Sequence, residues 1–464
     1  MSAPNPGGYR EAAARSLRES PDVRRSVGSA TRAFDASRTR AFAELDKARW
    51  KDWARDVKAH TLTHLDRYLA EAADRLEGNG ARVHWAETAE DALRVLDDVV
   101  AAHDVRTAVK AKSMLSEELG VNEHLESLGV APVETDLGEY IIQLLGEPPS
   151  HIVGPAIHKS LEECRALFHE RLGTEPDASP DALAAAARGA LRSRFLDAEL
   201  GISGGNFLAA DTGTVALIEN EGNIRMSTSL PKVHVAFVGI EKVVPRLEDV
   251  AGFLQITARS ATGQPIGLFV SLIQGPRGRG EVDGPEELHV VLVDNGRTDL
   301  LADPEGWEAL RCVRCGACLN ICPVYRQTGG HPYGWTYSGP IGAILAPGLL
   351  GLEEAMPLPQ ASSLCGACAE VCPVRIPIPE LLVHWRERAA ADGLTPAGEG
   401  LGTRLYADLA GRPEAFAAAG SLLRWTPWRR GARALPMLRG WVGEREAPRP
   451  SAKSFRTLWQ EGIE

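Results

Sequence analysis

Apolar residues recur every three or four positions through the first 80 residues, in stretches such as RAFAELDKARWKDWARDVKAHTLTHLDRYLAEAADRL, a spacing that lines them along one helical face. The pattern predicts a pair of amphipathic helices packed on the next domain. His60 and His64 stand four apart within it, with no third metal ligand nearby in sequence. From residue 81 the texture changes to short apolar runs alternating with helical periodicity. Residues 82–86, 106–109, 131–133 and 151–153 read as strands, and 89–100, 116–128 and 180–200 as helices, the last with Ser179 as N-cap and Pro180 at its first position. Such alternation argues an α/β class with a largely parallel sheet covered on both faces. Two strand-like runs flank Asn220-Glu-Gly-Asn223, a hairpin-turn composition. Residues 234–240 form a mostly apolar run typical of a buried central strand. Strands at 268–273 and 288–293 close this region, and 296–305 reads as a polar linker.

Beyond the linker the periodicity gives way to cysteines. Cys312, Cys315, Cys318 and Cys322-Pro323 show the spacing C-x2-C-x2-C-x3-C-P associated with bacterial-type iron–sulfur clusters. Part of it returns as Cys365-Gly-Ala-Cys368 and Cys372-Pro-Val, which is an internal repeat. Three closely spaced cysteines supply three thiolates to a cluster, and the fourth must come from elsewhere. In two-cluster ferredoxins the cysteine before proline ligates the other cluster, which assigns Cys312, Cys315, Cys318 and Cys372 to a first 4Fe-4S cluster and Cys322, Cys365 and Cys368 to a second. The second set is one thiolate short, because Ser362 stands in register with Cys312. Its fourth iron carries Ser362, water or a partner's ligand, or that iron is missing, as in a 3Fe-4S cluster, or the remote Cys164 folds in. His331 is a fallback ligand. Zinc sites pair their ligands differently, and cysteines this close in a chain without a signal peptide do not suit disulfides.

Composition narrows the partners. The formal charge of −11 argues against nucleic acid, and the charged fraction of 24% is that of an ordinary soluble protein. The best candidate for a membrane span, residues 341–352, is too short and is broken by Pro347. The first 20 residues lack an apolar leader, which points to the cytoplasm.

The segments VKAKSMLSEELGVNEHLESLGV, GEYIIQL, HIVGPAIHKS, GGNFLAADTGTVALIENEGN and STSLPKVHVAFVGIEKVVP resemble the lactate-utilization (LUD) domain. With the cysteine block and the tail RPSAKSFRTLW, nearly the whole chain resembles the lactate utilization protein B family. That resemblance implies a LUD fold akin to the sugar-isomerase and coenzyme A-transferase type of α/β domain, followed by two clusters. The expected organisation is a helical segment at 1–80, the LUD domain at 81–296, a helical ferredoxin-type domain at 297–390 with helices near 341–345 and 378–390, and a tail at 391–464. The resemblance further implies an electron-transfer subunit in L-lactate oxidation to pyruvate. Its implied partners are the other lactate-utilization subunits, a cysteine-rich-domain protein and a second LUD protein.

Residues of the α/β region could also hold a ligand. Gly204, Gly205 and the turn Asp211-Thr-Gly-Thr214 offer backbone amides to an anion. Lys110, Lys112 and Ser113 follow a strand, where open sheets bind ligands. Glu219 and Glu221 could act as acid or base if buried. These residues allow a second reading, an enzyme whose LUD domain binds an anionic small molecule with the three-cysteine cluster as Lewis acid. No GxGxxG fingerprint sits in a strand–turn–helix context, so hydride chemistry belongs to a partner. In the tail, Trp425, Trp428, Trp441 and Trp459 among Arg424, Arg429, Arg430, Arg433 and Arg439 form a candidate docking surface.

Overall fold

The N-terminal periodicity resolves into four helices rather than two: α1 (Tyr9–Glu19), α2 (Pro21–Phe42), α3 (Lys47–Thr63) and α4 (Leu65–Gly78). Pro21 starts α2 because a helix's first position tolerates a missing N–H, and Asp46 Oδ1 caps α3 by accepting from Arg49 N at 3.1 Å. A computed structural model describes residues 5–395, 397–425 and 451–462. By contact the chain divides into two units, Met1–Arg386 and Glu387–Glu464.

In the first unit the alternating region builds β1 (Arg82–Ala86), α5 (Ala89–His103), β2 (Thr107–Lys110), α6 (Met114–Leu119), α7 (Val121–Ser127), β3 (Ala131–Glu134), α8 (Leu137–Leu145), α9 (Leu161–Leu172), α10 (Pro180–Asp197) and β4 (Leu200–Ser203). It continues through β5 (Phe207–Ala209), β6 (Thr214–Glu219), α11 (Asn223–Ser229), β7 (Val233–Gly239), β8 (Val243–Val244), α12 (Leu247–Ala261), β9 (Phe269–Ile273) and β10 (Glu287–Val293). Six strands form a wholly parallel sheet in the order β1-β10-β7-β4-β2-β3. Every residue of β7 is buried, as expected of a strand covered on both faces. A second sheet, β8-β5-β6-β9, packs beside it with β5 and β6 antiparallel.

Four expectations from the sequence are corrected. The helix expected over 116–128 is two, because Gly120 turns left-handed at φ 70° and ends α6. Residues 151–153 are a turn, held by His151 Nδ1 accepting from the amides of Val153 and Gly154 at 3.0 and 3.1 Å. No hairpin forms at 220–223. The Glu219 carboxylate accepts from Ile224 N at 2.7 Å and Arg225 N at 2.9 Å and so caps α11, while β6 pairs with β5 and β9. The stretch read as a polar linker contains α13 (Arg297–Ala302), and its arginine is buried. Arg297 meets Glu118 at 2.9 Å and Glu241 at 2.7 Å, an ion triad out of water.

The cysteine-bearing region continues with α14 (Ala317–Ile321), α15 (Tyr325–Thr328), α16 (Gly339–Leu349), α17 (Leu352–Ala355), α18 (Pro357–Gln360), α19 (Ala367–Val371) and α20 (Ile378–Ala391). One apolar core runs through this region, the N-terminal helices and the second sheet. Tyr9, Val27 and Phe42 share it with Phe207 and Phe253 and with Leu319, Tyr325 and Ile344. In the second unit α21 (Ala397–Ala410) packs on α22 (Pro413–Trp425), with Tyr406 and Phe416 edge to face at 6.4 Å. Trp459 is exposed there, while Trp428, Trp441, Arg429, Arg430, Arg433 and Arg439 lie outside the described residues.

Removing one partner of a buried ion set strands the others. Arg297→Leu leaves Glu118 and Glu241 buried and should lower stability by about 3–5 kcal/mol in urea unfolding. A loss under about 1 kcal/mol would show that the triad is not what ties β7 and α6 to α13.

Candidate metal centre and the cavity beside it

The two cysteine blocks fold alike, residue for residue. In the first, Arg314 sits left-handed at φ 58°, directing its N–H to Cys312 Sγ at 3.3 Å, and Gly316 at φ 73° launches α14, which ends at Cys322. In the second, Leu364 at φ 52° directs its N–H to Ser362 Oγ at 3.1 Å, and Gly366 at φ 81° launches α19, which ends at Cys372. Ser362 therefore presents a hydroxyl where the first block presents the Cys312 thiol. The left-handed conformation disfavours side-chain-bearing residues such as Arg and Leu, so its recurrence at matched positions marks a shape held for a purpose. Further amides face sulfur: Tyr325 N to Cys322 Sγ at 3.5 Å and Ile376 N to Cys372 Sγ at 3.3 Å.

α14 packs on α19, which brings the two cysteine blocks side by side. Cys312, Cys315, Cys318 and Cys372 are buried and line one small cavity with Ile152, Ile341 and Ile376. Burial, with the neighbouring thiols Cys312 and Cys372, pushes the Cys315 thiol up to about 12. Cys365 adds to the rise of Cys322 and of Cys368, and Cys322 to that of Cys368, which burial drives up to about 12. Cys318 senses Cys368 as well, so the two groups adjoin. They differ in exposure: the first is wholly buried, whereas Cys365 is exposed. A set of four inward thiols with backbone N–H groups aimed at sulfur fits a thiolate-ligated iron–sulfur cluster, and the second set fits one with a ligand other than thiolate. Cys164 packs in the separate α8–α9–α10 core.

Sequence reasoning missed the cations around the four-thiol group. Lys242 Nζ donates to Cys312 O at 3.3 Å, Lys51 Nζ to Glu370 O at 2.6 Å and Arg311 Nη2 to Arg375 O at 3.1 Å. Arg314 stacks on the Tyr337 ring at 4.5 Å. Lys58 is buried and donates to Glu241 O; burial, with Lys242 next, brings its pKa down to about 7. Burial alone would raise the Glu241 carboxyl, but Arg297, Lys242, Arg314 and Lys58 hold it far below the usual carboxylate range. Arg311 and Arg314, which flank Cys312 in the cysteine block, were the signals available.

A cavity of about 340 Å³ opens at the carboxyl ends of β2, β4 and β7 and reaches the first cysteine block. Lys112, Ser113, Gly204, Gly205, Glu219 and Glu221 line it, together with Lys242, Arg314 and Cys315. Lys110 does not. It is fully buried, paired with Glu117 at 2.8 Å and Glu134 at 2.9 Å. Nor do residues 211–214: Asp211 Oδ1 accepts from Leu247 N at 3.0 Å, and a Cβ on Gly213 would stand 2.7 Å from Leu76 N. That turn is shaped by packing. Packing explains Gly204 too, where a Cβ would meet Ser113 Oγ at 2.5 Å. His60 Nε2 meets Tyr68 OH at 2.9 Å.

The LUD domain family matches residues 69–293, and the 4Fe-4S dicluster domain family matches residues 308–376. The chain is 42% identical over 454 residues to "Uncharacterized electron transport protein YkgF" of Escherichia coli (strain K12), covering 96% of this chain and 94% of that protein. "Lactate utilization protein B" of Shouchella clausii is 41% identical, covering 94% and 93%, and that of Bacillus licheniformis 42% identical, covering 95% and 94%. A DUF162 family protein of Deinococcus radiodurans aligns with 49% of this chain and 98% of its own at 15% identity and a TM-score of 0.29, too slight a likeness to carry weight. Fold and cysteine blocks together define an iron–sulfur protein with a LUD domain. The chain belongs to the lactate utilization protein B family. Among the described residues no helix is long and apolar enough to cross a membrane.

His331 Nε2 donates to Pro148 O at 2.9 Å, and its ring lies 4.5 Å from that of His158, where Glu147 also converges. Burial, Pro148, Glu147 and Lys159 govern its titration, with no cysteine among them. His331→Ala should therefore leave iron content and the paramagnetic resonance spectrum unchanged; a loss of iron would make it a ligand.

Proposed function

We propose that this chain is the electron-carrying subunit of a system that oxidises L-lactate to pyruvate. It works in the cytoplasm beside a cysteine-rich-domain protein and a second LUD protein. Cys312, Cys315, Cys318 and Cys372 hold one 4Fe-4S cluster. Cys322, Cys365 and Cys368 hold the other, completed at its fourth iron by Ser362, water or a partner's ligand, or left as 3Fe-4S. Each cluster takes up and releases one electron at a time. What carries the reading is the exchange of the two cysteines before proline between the blocks, which two-cluster carriers share. The names of the relatives supply the substrate system.

The chain's own residues tune the two sites apart. Lys51, Lys58, Lys242, Arg311 and Arg314 surround the first set, and positive charge in a dry interior favours the reduced, more negative state there. The exposed Cys365 leaves the second set nearer water and nearer a partner.

Removing a hydride from the α-carbon of lactate calls for a two-electron acceptor, which the partners supply. The purified chain alone should not turn over lactate with an artificial acceptor. With the partner subunits added, lactate should bleach the visible absorption of the clusters, and Cys312→Ala should stop onward flow to the physiological acceptor. Robust lactate turnover by the chain alone would place the chemistry in the LUD domain instead.

A further inference from the structure

We infer that the 340 Å³ cavity is a binding site for an organic anion, a carboxylate or a phosphate ester, seated directly against the first cysteine set. The inference rests on the reading that Cys312, Cys315, Cys318 and Cys372 hold a cluster, and it adds what lies next to it. The cavity's walls come from two sources. The LUD sheet gives the carboxyl ends of β2, β4 and β7, where open parallel sheets bind ligands, and the cysteine loop gives Arg314 and Cys315. No other cysteine lines it, so whatever fills the cavity faces the buried four-thiol set and none of Cys322, Cys365 and Cys368.

The charge chemistry selects the occupant. At the cysteine end stand Arg314, Lys242 and, on the facing loop, Lys112. Arg314 is 9% exposed; one arm of its guanidinium meets Glu241 at 3.3 Å, while Nη1 is buried with no hydrogen-bond partner among the described residues. A buried donor left unmade costs free energy, and an anion in the cavity would satisfy it with a charge-assisted bond. Among the described residues Lys112 Nζ donates to Val153 O alone, at a long 3.4 Å, so it too has donors to spare. Glu221 also lines the cavity, within electrostatic reach of Lys112, and its Oε2 accepts from Leu137 N at 3.0 Å. Burial and the nearby Asp136 raise its carboxyl, against the Leu137 N–H and Lys112, which lower it, so on balance it suits a hydroxyl or amide rather than a second anion. An anionic head toward the cysteines with a neutral polar body toward Glu221 is the complement of these walls. The volume lies within the range of small-molecule sites and exceeds what a bare inorganic ion needs.

The test uses anaerobically prepared full-length protein with its iron in place, titrated in a calorimeter with L-lactate and, separately, with flavin mononucleotide. Binding of lactate alone assigns a hydroxycarboxylate, and binding of the flavin alone a phosphate ester. Either supports the site when Lys112→Gln weakens binding about tenfold or more and the ligand shifts the resonance spectrum of the reduced protein. Lys112→Gln keeps the cysteine loop untouched, so its iron content should equal that of the parent. No binding of either probe, binding indifferent to Lys112→Gln, or binding that leaves the spectrum unmoved would each overturn the proposal. Iron content is read in the same samples, so a failure of cluster binding is told apart from a failure of the cavity.

Discussion

Seven sulfurs carried on two loops some 50 residues apart in sequence can converge only if α14 and α19 lie side by side, and much of the first unit serves that one contact. The short helices cannot hold it themselves, since four or five residues are below what makes a helix stable alone. Their support is borrowed. α2 packs on α14 and α15, α16 packs on α14, and Trp385 of α20 donates its indole N–H to Ile344 O at 3.1 Å. The N-terminal helices are thus a clamp on the cysteine blocks as much as an extension of the LUD domain.

Charge binds the same parts together. Glu241 follows β7, the central strand, and accepts from Arg297, with Arg314, Lys242 and Lys58 around it. Through it the end of the LUD sheet and the first cysteine loop share one buried network. Its neighbour Gly239 has no room for a side chain, since a Cβ would stand 2.3 Å from Glu241 Oε2. Even with Glu118 also drawing on Arg297 and Lys58 partly neutral, Arg297, Arg314 and Lys242 outnumber Glu118 and Glu241, which leaves positive charge beside the thiols, a setting that suits an anionic cluster.

Chemistry was legible in the sequence wherever spacing alone decides it. The cysteine repeat, the serine in register with Cys312 and the buried strand of β7 could all be read because local geometry fixes them. What escaped reading depends on long-range contact. Arg297 looked like part of a polar linker because sequence cannot show that Glu118, 179 residues away, waits to pair with it. Lys110 and Lys112 read alike, yet one is locked between Glu117 and Glu134 and the other faces the cavity. The run after Glu219 resembled a strand, and a single carboxylate capping two amides turned it into a helix. Glycines at 204, 205 and 213 suggested an anion cradle, whereas two of the three are small to admit Ser113 and the backbone of α4.

The claim that orders all of this is that the blocks exchange their last cysteines. Resonance spectra of the anaerobically prepared, reduced single variants Cys312→Ser, Cys372→Ser and Cys368→Ser test it most directly. The account predicts that Cys372→Ser and Cys312→Ser leave the same residual signal, that of the three-cysteine site, while Cys368→Ser leaves the complementary one. A Cys372→Ser spectrum matching Cys368→Ser would place Cys372 with its own block and contradict the exchange.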